Sequence, residues 1–86
     1  MSNMKKYIFP AVFSEESVGI AIFFPDLPGC LPCASDYEQA FHNAGEALNL
    51  RLSCMIEDGE EIPKPSRLRS IKLNEGEALA LIETQI

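Results

Sequence analysis

Four side chains in this sequence have the types found in metal and redox sites. Cys30 and Cys33 are spaced as Cys-Leu-Pro-Cys, and His42 and Cys54 follow. A Cys-x-x-Cys pair is half of a tetrahedral zinc set or a dithiol couple. The expected local structure argues against both. His42 and Cys54 are twelve positions apart in a segment that reads as helix, which separates them by about 18 Å along the axis. They cannot share one zinc. A thioredoxin-like pair sits at the start of a helix, whereas Cys30 and Cys33 precede the expected cap. Buried cysteine commonly packs as a small hydrophobe. Three cysteines, an odd number, also do not form a disulfide framework of the secreted type. No metal and no cofactor is expected.

Carboxylates are the next candidates. Glu15-Glu16 and Glu60-Glu61 are adjacent pairs. A two-metal nuclease needs carboxylates from several elements converging on ions about 4 Å apart. These acids fall in expected loops and on a solvated helix face, so catalysis is not expected. His42, the one histidine, lies on the polar side of the expected helix with no nucleophile fixed beside it. Lys64, Arg67, Arg69 and Lys72 form a local basic group. It lacks the interleaved aromatics of a single-strand stacking platform and reads as surface charge around a connector.

The elements that would position any site follow from pattern. Tyr7, Phe9 and Phe13 fall on one face of a strand over Tyr7–Phe13. Pro10 donates no ladder bond, so the strand is expected to be an edge or bulged there. Ser14–Ser17 is polar, and Val18–Phe24 is a second strand, which makes a hairpin. Cys30–Ala34 is a short third strand, weakened by Pro32. Ser35 with Glu38, or Asp36 with Gln39, has capping-box spacing and opens a helix to about Ile56. Tyr37, Phe41, Ala44, Leu48, Leu52 and Met55 recur at helical steps and predict its buried stripe. Gly59 suits a left-handed cap. Pro63 and Pro65 hold the next segment extended, and Ala78–Glu83 reads as a last strand. The expected fold is α+β: β-β-β-α-β, a small, mainly antiparallel sheet with one helix on one face. A helical crossover would let the last strand pair in parallel with the first, through a right-handed connection.

Between the second and third strands lies Pro25-Asp26-Leu27-Pro28-Gly29. Two prolines and a glycine in five residues fix a rigid turn, and Asp26 in such a turn bonds local backbone amides. A sharper reading makes these residues the partner-binding site, since a rigid loop loses less entropy on binding.

The whole chain has 86 residues, 47% of them hydrophobic, which is the composition of one globular domain with a modest core. No apolar stretch is long enough for a membrane span. Pro10 interrupts the apolar run that a signal peptide requires, so a cytoplasmic location is expected. Thirteen acidic residues against seven basic ones give a net charge of −6. Nucleic-acid binding is driven by Lys and Arg neutralising phosphates, so direct nucleic-acid binding is not expected. A basic protein is the partner such a surface attracts.

Several separate blocks, taken together, resemble one family. Phe24-Pro25-Asp26-Leu27-Pro28-Gly29-Cys30 matches the signature turn of HicB-like antitoxins. The helix carries Glu38, Ala40, Asn43-Ala44 and Glu46-Ala47-Leu48 in the family's register. Asp58-Gly59 and Ile62-Pro63-Lys64-Pro65-Ser66 follow as in the family, and Pro10-Ala11-Val12-Phe13 fits its first strand. The similarity spans roughly residues 7 to 66, and blocks at matching spacing are far more specific than a lone motif. It implies a partial ribonuclease-H-like fold without the nuclease site, and a protein that blocks a small HicA-type toxin that cleaves messenger RNA. The family typically adds a C-terminal DNA-binding domain. None is expected within this chain, whose 86 residues are read as a single antitoxin domain. A second departure is Ala34-Ser35-Asp36, where the family often has a Gly-Asp-Thr-like helix start; the capping chemistry survives it.

The expected function is therefore non-catalytic occlusion of a HicA-like toxin, with a homodimer or higher homo-oligomer as the default assembly. An orphan oligomerisation module is the alternative, since small sheets with exposed edges pair with copies of themselves. A stand-alone RNA-binding domain is the other, and it requires a basic cleft that the sequence does not offer.

Overall fold

A computed structural model describes residues 4–86. The chain folds as β1 (Lys6–Glu16), β2 (Gly19–Phe23), β3 (Cys33–Ala34), α1 (Tyr37–Glu57), a 3-10 turn (Leu68–Ser70) and β4 (Glu77–Gln85). The four strands form one sheet in the order β3-β2-β1-β4, antiparallel throughout. The α+β expectation of one helix on a small antiparallel sheet holds. None of the described helices is long and apolar enough to cross a membrane.

The hairpin is tighter than expected. Glu16 pairs with Gly19, so Ser14–Glu16 extends β1 and the loop is Ser17-Val18. Gly19 has φ +148°, and a Cβ there would lie 2.5 Å from the Ala34 carbonyl oxygen. Only glycine lets β3 approach this closely.

Pro10 pairs with Leu81 in the β1–β4 ladder. The doubly bonded pair there is Lys5–Ile86, and Glu15 N–H donates to Gly76. Antiparallel alternation then aims the odd-numbered residues of β1 at β4 and the even-numbered ones at β2. Pro10 thus faces the β2 side, and β2 pairs only from Val12 onward. The missing N–H costs no ladder bond, which satisfies the expectation of an edge at that point.

Phe9, Ala11 and Phe13 alternate onto the helix side of β1 and join Ile20, Ile22, Phe24, Leu27 and Ile82 in the core. The helix contributes Ala40, Ala44, Leu48, Leu52 and Met55, all buried. The sequence placed Tyr37 and Phe41 in this stripe, and that is corrected: they are 40% and 51% exposed. Ala40 and Ala44 face the sheet instead, and small side chains seat the first turns close to it. Tyr37 and Phe41 lean over the rim onto Phe13, with ring centroids 6.2 and 4.9 Å away.

The helix starts on Asp36, whose Oδ1 accepts from Gln39 N–H at 2.8 Å. Gln39 Oε1 in turn accepts from Ser35 N–H and Oγ–H. The Asp36/Gln39 form of the cap is therefore the one used. Pro10 and Val12 are fully buried on the face opposite the helix, whereas Ile8 and Leu81 on that face are exposed, so it is covered only in part.

The expected parallel pairing of the last strand is overturned: β4 runs antiparallel to β1. Asn43 of α1 bonds Cys33 at the β3 end, and Asn49 bonds Thr84 and Gln85 at the start of β1. The helix therefore already travels back along the sheet. A parallel strand would begin there. Instead residues 58–76 carry the chain along the sheet again, and β4 enters beside the end of β1.

Candidate partner-binding surface

The Pro25–Gly29 turn is held from three directions. Leu27 is buried in the core and its N–H donates to Phe24 at 3.0 Å. The Asp26 carboxylate accepts from Ser66 N–H at 2.8 Å and from Ser66 Oγ–H. Arg51 Nη2, from the helix, donates to the Pro28 carbonyl at 3.3 Å. Gly29 has φ +89°, a left-handed conformation that favours glycine. Pro25, Pro28 and Gly29 remain exposed. Asp26 is thus half-buried and occupied by a segment forty positions away, not by local backbone amides.

Beside the turn runs a shallow groove of about 320 Å³, lined by Gly29, Cys30, Leu31, Pro32, Ala47, Leu50, Arg51 and Cys54. Leu31 and Leu50 are 70% and 67% exposed on its rim, and Arg51 is the charged residue in it. The sequence reading missed Leu31, Leu50 and Arg51. The visible signal was Leu50 itself, a large apolar residue off the buried stripe of an otherwise polar helix face. The turn and groove form one surface: exposed prolines, two exposed leucines and a rigid backbone. Such a patch offers an apolar anchor site to a protein.

The other candidates are dispersed. The Cys30 thiol is buried and lies 3.8 Å from the Ala47 carbonyl, while Cys33 and Cys54 are exposed. Burial pushes the Cys30 thiol pKa above its ordinary value, against the opposing pull of Arg51. Among the described residues no cluster of His, Cys, Asp or Glu has the geometry to hold a metal ion. His42 is exposed and pairs with Glu46 at 2.8 Å. Glu15-Glu16 ends β1, while Glu60 lines a hollow with Lys5 and Lys6 at its start. Those ends are about 30 Å apart at the rise of a strand. Lys64, Arg67, Arg69 and Lys72 are exposed along the connector.

The described residues thus form a four-stranded antiparallel sheet backed by one helix, with a pinned turn and an apolar groove at its side. The sequence model of the HicB-like antitoxins of bacterial toxin–antitoxin systems matches residues 9–83. The chain belongs to that family. A protein of 14.9 kDa from the rep-hol intergenic region of Haemophilus phage HP1 is 33% identical over 57 residues. That match takes in 66% of this chain and 43% of the phage protein, so the chain spans less than half of that relative.

Solved structures share the fold. A chain of a HicA3 and HicB3 toxin–antitoxin complex superposes with TM-score 0.70 at 23% identity, over 91% of this chain and 98% of that one. A toxin–antitoxin complex from Streptococcus pneumoniae gives TM-score 0.85 at 17% identity, over 93% and 69%. The N-terminal domain of the Burkholderia pseudomallei antitoxin HicB gives 0.74 at 22%, over 88% and 95%.

Proposed function

We propose that this chain is the neutralising domain of a type II toxin–antitoxin pair, which binds a HicA-like, mRNA-cleaving toxin and covers its RNA-binding surface. The reading has the chain act without catalysis, in the cytoplasm, and as a homo-oligomer. Membership of the HicB-like family supports it, and so does the likeness of its fold to chains from toxin–antitoxin complexes.

The observation that carries the site is the pinned Pro25–Gly29 turn with the exposed leucines beside it. A ribonuclease must present basic surface to RNA. A chain of net charge −6 is drawn to such a surface at long range, and this accelerates encounter. Affinity then comes from the small apolar centre of Leu31, Leu50 and the turn prolines, where water is expelled.

The test mixes the purified chain with a HicA-like toxin from the same locus and a labelled RNA. Protection of the RNA at stoichiometric chain, with a co-eluting complex, is the expected result. Undiminished cleavage at excess chain overturns the proposal.

A further inference from the structure

The two edges of the sheet are treated differently. One edge is β3, two residues long, and a very short strand is a common way to blunt an edge. The other is β4, nine residues long, with no proline and no charge between Glu77 and Glu83. From the Lys5–Ile86 pair and the register, alternation aims the backbone of the even-numbered β4 residues at β1 and that of the odd-numbered ones outward. The Gln85 carbonyl is taken by Asn49, and Glu77 N–H donates back to Asn74. Among the described residues, nothing bonds the outward N–H groups of Leu79, Leu81 and Glu83. Leu81 is 55% exposed, opposite Pro10 on the face away from the helix, with Ile8 also exposed.

We infer that β4 pairs antiparallel with β4 of a second copy across a twofold axis at Leu81, continuing the sheet through both copies. A perpendicular twofold keeps each side chain on its own face, so one residue must face itself. Centring on Ala80 sets Glu77 opposite Glu83 of the other copy, and like charges directly opposed are destabilising. Centring on Leu81 sets Leu81 on Leu81, Leu79 on Glu83 and Glu77 on Gln85, with no acid facing an acid. That register uses the outward groups of Leu79, Leu81 and Glu83 and buries the exposed leucine. Glu83 also has Lys6 at 3.8 Å to offset its charge. The self-complementary register is what selects a second copy as the occupant. The inference rests on the self-association proposed above, and it is independent of toxin binding.

The test is light scattering on the full chain over a concentration series, followed by two kinds of variant. Leu81→Lys puts like charges on the axis at an exposed position, and the dimer is expected to be lost. In a Cys33→Ser, Cys54→Ser background, Leu81→Cys is expected to cross-link under mild oxidation, because paired Cα atoms there are about 5.5 Å apart. Leu79→Cys is expected not to, its counterpart being about 13 Å away along the strand. The cross-linking readout stands even if the lysine variant folds poorly. A monomeric wild type overturns both the self-association and this interface. A dimer that survives Leu81→Lys, or one that cross-links equally through Leu79→Cys, overturns the interface alone. A chain that protects its β4 amides from exchange only when a toxin is added also overturns it, and gives the edge to a partner strand.

Discussion

Asp26 and Ser66 are forty residues apart, yet the carboxylate of one accepts both the backbone N–H and the hydroxyl of the other. This contact ties the turn after β2 to the connector that follows α1. It fixes where the connector begins its second passage along the sheet, and hence where β4 enters. It also leaves the exposed part of the turn to Pro25, Pro28 and Gly29.

Replacing Asp26 with Ala strands a partly buried N–H as well as a hydroxyl. The expected loss of stability is about 1–3 kcal/mol, against about 0.5–1.5 kcal/mol for Ser66→Ala, which leaves the N–H bond intact. The two changes share a partner, so the double variant should lose less than the sum. Urea unfolding of the four proteins measures this. Strict additivity would mean that the Asp26 carboxylate does its work elsewhere.

Gly19→Ala is expected to be among the costliest single methyl additions in the chain. The new Cβ meets the Ala34 carbonyl at 2.5 Å while the backbone stays at φ +148°. A residue forced into such a conformation costs on the order of 1–3 kcal/mol before any clash is relieved. Gly45→Ala, with nothing within 4 Å of the new atom, should instead be neutral or stabilising, because alanine favours the helix. Thermal melts should show a lowered midpoint for Gly19→Ala and an unchanged or raised one for Gly45→Ala.

The local elements were legible in the sequence, because strand alternation, the Asp36/Gln39 cap and the Ala44–Leu48–Leu52–Met55 stripe are all short-range. The failures were long-range. Tyr37 and Phe41 keep perfect helical spacing, but the stripe position beside them is filled by Ala40, and only the closeness of the sheet decides between them. The direction of β4 depended on residues 58–76, a connector with two prolines and little periodicity. The Pro25–Gly29 turn was visible as a rigid loop. Its fixing by Ser66 and Arg51 was not, since neither spacing has a sequence signature.

The thiols should separate into two classes. Cys33 and Cys54 are exposed and Cys30 is buried, so a thiol reagent is expected to modify two sites in the native protein and the third only on unfolding. Burial raises the Cys30 thiol pKa above its ordinary value, against the opposing pull of Arg51. The folded state therefore disfavours the thiolate. Its contribution to stability is complete below the unfolded thiol's pKa and is lost as pH rises through the folded one. Stability measured from neutral to strongly alkaline pH should fall less steeply for Cys30→Ala than for the wild type. Tyr37, whose pKa is also raised, by desolvation and then by Glu15, remains in both proteins and acts in the same direction.

Leu50→Asp tests the groove where the fold has least to lose. Leu50 is 67% exposed, off the buried stripe of α1, so its replacement should change stability by no more than about 0.5 kcal/mol. A charge placed in an apolar contact centre, by contrast, typically costs 2 kcal/mol or more of binding, roughly a thirtyfold loss of affinity. Toxin neutralisation should therefore weaken in step with that loss while the melting curve stays in place. Glu46→Gln, on the polar side of the same helix and exposed, supplies the contrast. It removes one charge from the field that steers encounter, so it should slow association slightly at low salt and leave dissociation unchanged. Surface plasmon resonance separates the two effects: a change in dissociation rate for Leu50→Asp places this surface in the interface, and identical kinetics for Leu50→Asp and the wild type remove it.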